Sequence, residues 1–306
     1  MTTQETNKKV VRNFVNELTN NHNPYAWDMY CSEDFKHHFN IPDVLPNRQG
    51  IKMLSMGILA AFPDVSLDID LLFAENDFVI ERASAKATHS GTYNGITPTG
   101  KPYQWQETHI YRLKNGKIIE HFPEVRLEKL LWQIGGKGDG FIAPEKSALS
   151  SFIALMMGGL AKLYKNFNKQ NLSEIDNNKS VVSRYVNEFK NEQKFTVFPK
   201  LFSSKFTHHF NFPNRSKKMD SFVSVGQTFL SAFPDVKVDL QQILAEGDLV
   251  VEQNKVSATH KGTFDGIKAT NKKVYWTEIH IYRLENGKII ENFPAVNFER
   301  ILMQIR

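Results

Sequence analysis

The feature that most constrains this chain is a long internal repeat. The stretch WQETHIYRLKNGKIIEHF at residues 105–122 returns as WTEIHIYRLENGKIIENF at residues 276–293. A constant offset of 171 positions, that between Trp105 and Trp276, aligns the two halves without a gap. About 55 of roughly 128 aligned positions are identical, which indicates a duplicated domain rather than a short solenoid repeat.

The repeat predicts two domains, residues 1–135 and 178–306, joined by a linker at residues 136–177. A chain of 306 residues has room for two domains of ordinary size. The linker contains the apolar run SALSSFIALMMGGLAKLY at residues 147–164, which is too short to span a bilayer. We predict a helix there that packs on the domains, with a membrane-surface anchor or a partner-binding helix as alternatives. The polar end of the linker, residues 168–178, is predicted to be a loop.

Each copy begins with helical patterns and continues with strand patterns. Apolar residues recur with a helical period over residues 7–18, and later segments alternate with period two. We predict helices at 7–18, 25–30, 51–62 and 125–134, and strands at 35–42, 65–77, 78–93, 103–113 and 116–122. Asn115-Gly116 predicts a hairpin turn between the last two strands. This order predicts an α+β fold, in which a curved antiparallel sheet wraps round helices as a cone with an open mouth.

Composition excludes several classes of protein. A single cysteine, Cys31, cannot form an internal disulfide, and the N-terminal segment has no apolar signal core, so we expect a cytoplasmic protein. The net charge of +5 is spread over scattered lysines, which argues against a nucleic-acid partner. No stable membrane insertion is expected. The sequence has no Gly-rich phosphate loop, nucleophile elbow or cysteine cluster, so we predict no cofactor.

One strand places acid and base groups among aromatic residues. Trp105, Glu107, His109 and Tyr111 share one face of it, because side chains alternate along a strand. We predict that this face is the concave one. A buried Glu107–His109 pair there could share a proton near neutral pH, as acid–base catalysis requires. A hydrogen-bonded structural pair, or a subunit interface on this face, is the alternative.

Further histidines complete the predicted site. His89 lies near Gly91, which permits close approach of a ligand or of backbone, and His37 and His38 are adjacent, so one of the two points inward. A structural role is the alternative for each, and a metal site is not predicted, because no short ligand spacing is present. The predicted catalytic residues are Glu107, His109, His89, Glu278, His280 and His260. The predicted substrate-binding residues are His38, Trp105, Tyr111, His121, His209, Trp276 and Tyr282.

The motifs AFPDV, AEND, ATHSGTYNGITPTGK and WxExHIYRLxNGKIIEHF together resemble the SnoaL-like polyketide cyclase family, over essentially all of each copy. The resemblance implies the cone-shaped α+β barrel also found in ketosteroid isomerase and nuclear transport factor 2. It also implies ring closure by aldol condensation without cofactor or metal. In the cyclases a carboxylate follows the last strand as the acid/base residue, and here Arg126 and Asn297 stand at that place. Single-domain relatives pair through the outer face of the sheet, which implies an intramolecular pseudo-dimer and leaves a further homo-oligomer possible.

The sequence therefore predicts a cofactor-independent acid/base enzyme of cyclase, isomerase or dehydratase type. Its substrate would be a small hydrophobic carbonyl compound. The alternatives are a binding protein for a hydrophobic small molecule and a structural pseudo-dimer. Differences such as His121 against Asn292 and Trp27 against Phe198 predict that the two pockets are not equivalent.

Overall fold

A computed structural model describes residues 2–38, 44–135, 173–210 and 216–306 of the protein. The predicted linker helix at residues 147–164 lies outside the described residues, as does most of the predicted linker. Among the helices of the described ranges, none combines the length and the apolar character needed to cross a bilayer.

The first copy consists of four helices and a five-stranded sheet. The helices are α1 (Thr3–Val15), α2 (Ala26–Tyr30), α3 (Arg48–Ala61) and α4 (Leu127–Ile134). The strands are β1 (Cys31–His37), β2 (Ser66–Glu75), β3 (Phe78–Thr88), β4 (Pro102–Lys114) and β5 (Lys117–Glu124). The strand order is β1-β5-β4-β3-β2, with β1 parallel to β5 and the other neighbours antiparallel.

The second copy repeats this architecture. Its helices are α5 (Glu174–Arg184), α6 (Phe198–Leu201), α7 (Met219–Ala232) and α8 (Phe298–Ile305). Its strands are β6 (Phe202–His208), β7 (Lys237–Glu246), β8 (Leu249–Thr259), β9 (Lys273–Glu285) and β10 (Lys288–Val296). The strand order β6-β10-β9-β8-β7 matches that of the first sheet. The predicted fold, two tandem α+β domains, is confirmed.

In both copies the first helix continues as a wider helical turn. Residues Asn16–Asn20 follow α1 as a π-helix, and residues Tyr185–Asn191 follow α5 in the same way. Single π-helical turns of this kind are frequent at functional sites. The turns carry Thr19 in the first copy and Lys190 in the second.

Aromatic packing holds α1 against the sheet. The ring of Phe14 meets Trp27 edge-on with the ring centroids 4.8 Å apart, and it meets Tyr111 of β4 edge-on at 6.0 Å. Val11 and Val15, one turn apart on α1, are buried in the same cluster. Buried aromatic rings contribute large apolar areas, and edge-on contacts add a further favourable term. The helix and the sheet therefore enclose the concave side of the first copy.

The predicted hairpin turn is present. Asn115 and Gly116 have φ angles of 52° and 74°, the left-handed pair that a two-residue hairpin turn requires. Asn286 and Gly287 adopt the same conformation in the second copy, with φ angles of 50° and 70°. The turn fixes the register of β4 on β5, and with it the side of the sheet that each β4 side chain faces.

Two predicted boundaries are corrected. The segment predicted as a loop at residues 168–178 contains the start of α5 at Glu174. Ser173 caps this helix by accepting a hydrogen bond from the backbone N–H of Asp176, and acidic residues in the first turn favour a helix N-terminus. Strand β1 begins at Cys31, earlier than the predicted start at residue 35.

The outer faces of the two sheets pack against each other. One buried apolar cluster joins residues of β2, β3 and β4 to residues of β7, β8 and β9. Its buried members are Phe73, Ile80, Ile110, Leu244, Val251, Ile279 and Ile281. Burial of this apolar surface is the main attraction between the copies.

Charged contacts flank this apolar cluster, and each occurs twice. Glu75 at the end of β2 pairs with Lys179 and accepts a hydrogen bond of 3.0 Å from the backbone of β7. Glu246 at the end of β7 pairs with Lys8 at 2.8 Å and accepts a bond of 2.7 Å from the backbone of β2. Contacts that recur with the partners exchanged are typical of a two-fold symmetric interface.

Substitution of Glu75 by Ala should destabilise the protein by about 2 kcal/mol, because it removes a charged acceptor and leaves Lys179 largely buried without its anion. Urea unfolding followed by circular dichroism measures the change. Glu33→Ala, at an exposed position of β1, is the matched control. A loss no larger than that of the control would contradict the importance of this contact.

Candidate active site

A cavity lies on the concave side of the first sheet. Its volume is about 170 Å³. Trp105, Glu107, His109 and Tyr111, which alternate along β4, all line it. These four alternating side chains therefore share the concave face of the sheet, as their period-two spacing predicted.

Most of the cavity wall is apolar. The helices and the loops that follow them contribute Phe14, Leu18, Trp27, Ile51, Ile58 and Phe62. Polar groups enter mainly from the sheet, at the centre of this apolar wall. Such a wall with a few convergent polar groups is the usual form of a small-molecule site.

Glu107 is held between two neighbours on its own strand. The indole Nε1–H of Trp105 donates to Oε2 of Glu107 at 2.7 Å. Oε1 of Glu107 lies 3.2 Å from Nε2 of His109. The attraction between the two charges is the larger part of this second contact.

A chain of three histidines continues from this pair. Nδ1 of His109 lies 2.7 Å from Nε2 of His121, and Nδ1 of His121 lies 3.2 Å from Nδ1 of His37. When His109 is protonated it donates from Nδ1 to His121, which then carries its own proton on Nδ1 and donates to His37. The hydrogen bonds of this chain therefore all donate in one direction, from His109 through His121 to His37 and away from Glu107.

Glu81 of β3 stands opposite His109 of β4 in the register of the two strands. The hydroxyl of Tyr111 donates to its Oε2 at 3.2 Å. Its Oε1 is buried and has no hydrogen-bond partner in the described ranges. Glu81 also lines the cavity, so a second carboxyl group belongs to the site.

The surroundings of Glu107 and His109 favour the ionised form of both side chains. Burial raises the pKa of Glu107, but the charge of His109 and the hydrogen bond from Trp105 outweigh it and hold that pKa below its usual value. Burial lowers the pKa of His109, but the charges of Glu107 and Glu81 outweigh it and hold that pKa above its usual value. The two side chains form a carboxylate–imidazolium pair.

The remaining groups titrate differently. Burial raises the pKa of Glu81 to about 7, with the charge of His109 opposing the rise and that of Glu107 adding to it. Burial and the charge of His109 lower the pKa of His37 to about 3 and that of His121 well below its usual value. At neutral pH His37 and His121 are therefore neutral, whereas Glu81 is present in both its protonated and its ionised form.

Of the predicted substrate-binding residues, His38 is not part of the lining of the first cavity, and His209 of the second copy makes the same kind of contact as His38. His38 Nε2 lies 2.8 Å from Oε2 of Glu120, and His209 makes the equivalent contact with Glu291 at 3.1 Å. The register of β1 turns His37 to the cavity instead, because adjacent residues of a strand face opposite sides.

The predicted catalytic residues His89 and His260 are buried in loop contacts, and His89 is not part of the lining of the first cavity. Nδ1 of His89 lies 3.1 Å from the hydroxyl of Thr99, and His260 makes the same contact with Thr270. A side chain at Gly91 would lie 2.2 Å from a carbonyl oxygen of α3. The glycine therefore permits close approach of backbone rather than of a ligand.

Two residues of the site were not predicted. Glu81 shares its strand face with Val79, Ala83 and Ala85, and an acid among apolar neighbours was a visible signal. His37 was considered only as the neighbour of His38. Choosing between the two histidines required the register of β1 on β5, which contains a bulge and which spacing alone does not reveal.

The second copy keeps the same residue types but connects them differently. The indole of Trp276 donates to Oε2 of Glu278 at 3.2 Å, and the hydroxyl of Tyr282 donates to Oε1 of Glu252 at 2.9 Å. The ammonium of Lys190 bonds to both carboxylates, at 2.8 Å in the case of Oε1 of Glu278. The two predicted sites are therefore chemically different.

Glu252, Glu278 and His280 stand close enough together to resemble a metal site, with one ligand atom of each within 4.8 Å of the others. Lys190 already supplies a positive charge to both carboxylates. The ammonium of Lys190 thus takes the place that a bound metal ion would have beside these carboxylates. The absence of a metal remains a prediction of the sequence.

Comparison with known proteins agrees with this architecture. The model of the SnoaL-like polyketide cyclase family matches residues 9–131 and again residues 180–305. No curated protein matches the sequence significantly. AclR from Streptomyces galilaeus, a candidate hydroxylase, is 25% identical, covers 43% of this chain and 97% of its own, and has a TM-score of 0.40.

Two further solved structures are similar to single copies. A candidate SnoaL-like polyketide cyclase from Jannaschia sp. CCS1 is 21% identical over 44% of this chain and 96% of its own, with a TM-score of 0.41. IdmH from Streptomyces antibioticus, a candidate polyketide cyclase, is 20% identical over 42% and 97%, with a TM-score of 0.38. Since the family matches together take in most of the sequence, this chain belongs to the SnoaL-like polyketide cyclase family, of which it contains two tandem copies.

Proposed function

We propose that the first copy is a cofactor-independent acid/base enzyme of cyclase, isomerase or dehydratase type, acting on a small hydrophobic carbonyl compound. One observation carries this proposal: a carboxyl group with a pKa of about 7 stands beside an ionised carboxylate–imidazolium pair on an apolar cavity. Perturbed groups of opposite charge in a cleft are typical of active sites. Membership of the family supports cyclase-type chemistry in general terms.

Glu81 is the group best suited to act as the general base. A base works best when its pKa is close to the working pH, and Oε1 of Glu81 has no hydrogen-bond partner in the described ranges. This oxygen takes a proton from the carbon next to the substrate carbonyl. The electron pair of the broken C–H bond moves to the carbonyl oxygen, which gives an enolate. Glu81 replaces His109 as the proposed base, because the charges of Glu107 and Glu81 favour the protonated form of His109.

His109 stabilises the negative oxygen that forms. Its Nε2–H has no well-aligned acceptor among the described residues, and Glu107 beside it offsets its charge. The bond from Nδ1 to His121 fixes the orientation of the ring. A preorganised donor in a dry site is worth more to a developing charge than the same donor in water.

The size of the cavity limits the substrate. An apolar cavity of about 150 Å³ accommodates one benzene molecule. The cavity of the first copy, at about 170 Å³, therefore suits a compound of one ring or a small bicycle. The aromatic faces of Phe14 and Trp27 favour an unsaturated ring.

The second copy is proposed to be the fused partner of the first in an intramolecular pseudo-dimer. The reciprocal contacts of Glu75 and Glu246 support this, because each contact of a two-fold interface occurs twice. The apolar cluster between the two sheets supports it as well.

Exchange of the α-hydrogens of 2-indanone for deuterium, followed by NMR in D₂O, tests the acid/base function directly. The wild-type protein should accelerate the exchange over buffer. Glu81→Gln and His109→Gln should each lower the rate by about 100-fold while ketone binding stays within a few-fold, because each removes a group that acts in the transition state.

Gln106→Ala, at an exposed position on the opposite face of β4, is the control and should exchange the ketone at the wild-type rate. Binding of 2-indanone by the wild-type protein without any acceleration of exchange would refute the enzyme. It would favour a carrier of hydrophobic molecules instead.

The raised pKa of Glu81 also predicts a pH-dependent stability. Between pH 4.5 and about pH 7 the folded protein keeps this proton and the unfolded chain releases it, so rising pH costs stability over this window. Glu81→Gln removes this term, so the variant should gain up to about 3 kcal/mol relative to wild type between about pH 5 and pH 8. Urea unfolding at both pH values measures the difference. Parallel pH dependence of the two proteins would contradict the raised pKa.

A further inference from the structure

Lys190 is the largest chemical difference between the two sites. It stands on the π-helical turn of the second copy, at the position of Thr19 in the first. Thr19 lines the first cavity, whereas the ammonium of Lys190 bonds to both Glu252 and Glu278. Only 11% of the Lys190 side chain is exposed, and the Glu252 side chain is fully buried.

The two carboxylates bonded to Lys190 are the counterparts of Glu81 and Glu107. In the first copy the compensating charge is that of His109, and one oxygen of Glu81 is left without a partner in the described ranges. In the second copy an ammonium bridges both acids. A buried carboxylate that is bonded to a lysine is a poor base, because its charge is already satisfied.

Neighbouring substitutions fill the space around this bridge. Phe189 replaces Leu18, and its ring would lie 3.1 Å from a side chain added at Gly226, where the first copy has Ser55. Asn254 donates to Oε1 of Glu278 at 3.1 Å. The larger ring of Phe189 and the hydrogen-bonded side chain of Asn254 thus occupy space that is open in the first copy.

The histidine chain is also interrupted in the second copy. Asn292 stands at the position of His121, with its Nδ2 3.3 Å from Nδ1 of His280. Within the described ranges no hydrogen bond links the ring of His208 to Asn292. The chain of donors that runs from His109 through His121 to His37 in the first copy therefore has no equivalent in the second copy.

The second copy nevertheless contacts the site of the first. Arg126, which lines the first cavity, forms a two-bonded ion pair with Glu299 of α8, in which Nε lies 2.9 Å from Oε2. The hydroxyl of Thr277 donates to Glu124 at 2.7 Å. The ion pair itself is not repeated, because the uncharged Asn297 stands at the position that corresponds to Arg126. Through the ion pair with Arg126, the second copy therefore supports the wall of the first cavity.

We propose that Lys190 is an internal cation that closes the second site, so that the second copy turns over no substrate and serves to hold the wall of the first cavity. The residues at positions 19 and 190 then decide which copy binds substrate. The inference rests on the proposed function of the first copy only in taking its cavity as the active site.

Each site carries its own reporter, since Trp105 and Trp276 donate to the local glutamates. The indole N–H signals of a ¹⁵N-labelled protein are followed while 2-indanone is added, and substitution of each tryptophan by Phe assigns them. We expect the Trp105 signal to shift and the Trp276 signal to stay, with one ketone bound per chain. A shift of Trp276 with equal affinity, or no shift of Trp105, would overturn the proposal.

Transplanting the lysine tests its charge. Thr19→Lys should weaken 2-indanone binding about tenfold more than Thr19→Met, because methionine adds similar length without an ammonium. An unchanged Trp276 signal and a cooperative melt show that the variants are folded. Equal losses of affinity in both variants would mean that bulk closes the site, and the role of the cation would be refuted.

The reverse change restores the residues of the first copy. Phe189→Leu combined with Lys190→Thr should create a second binding event, reported by Trp276.

The variant Lys190→Met provides a test of the bridge that needs no ligand. It should lower the urea midpoint more at about pH 8 than at about pH 5, because two buried carboxylates without their cation must take up a proton. A midpoint equal to wild type at both pH values would refute the bridge.

Failure of this inference differs from failure of the enzyme. If 2-indanone shifts only the Trp105 signal and Thr19→Lys weakens binding more than Thr19→Met does, the closure stands even when no exchange is catalysed. If exchange is catalysed and both tryptophans report binding in the wild-type protein, the enzyme stands and the closure is refuted.

Discussion

The structure depends on how two carboxylates buried in an apolar cone obtain a positive charge. Without one, a buried carboxylate would have to take up a proton. In the first copy the charge comes from His109, which also contacts His121 and is the proposed donor to a substrate oxygen. In the second copy it comes from Lys190, whose pKa burial lowers but the two glutamates raise above its usual value. The same pair of acids is a titrating site in one copy and a fixed ion pair in the other.

Symmetry is kept where the copies pack and lost where chemistry would occur. Glu75 and Glu246 make equivalent contacts across the interface, and the apolar cluster draws on the same strands of both sheets. The exceptions lie next to the first cavity, where Arg126 meets Glu299. An interface can remain symmetric while sites diverge, because the outer and inner faces of a sheet carry alternate residues of each strand.

Periodicity and turn chemistry allowed much of this to be predicted. The alternation of β4 indicated the face of Trp105 to Tyr111, and Asn115-Gly116 indicated the hairpin. Spacing alone does not decide which of His37 and His38 faces the cavity, because that depends on the strand register beside a bulge. The meeting of Glu81 with His109 joins residues on different strands, and no spacing within one strand reports it. The exchange of Thr19 for Lys190 was visible in the aligned repeat, but its meaning depends on which glutamates the π-helical turn faces.

Covalent fusion has a genetic consequence. In a dimer of identical chains every substitution appears in both subunits, so a lysine that shut one site would shut its twin and abolish all turnover. Two copies in one polypeptide inherit changes separately, as Thr19 and Lys190 have done. If the second site is closed as proposed, that half was free to lose turnover and to serve as a support, while the fusion kept the two halves in equal number.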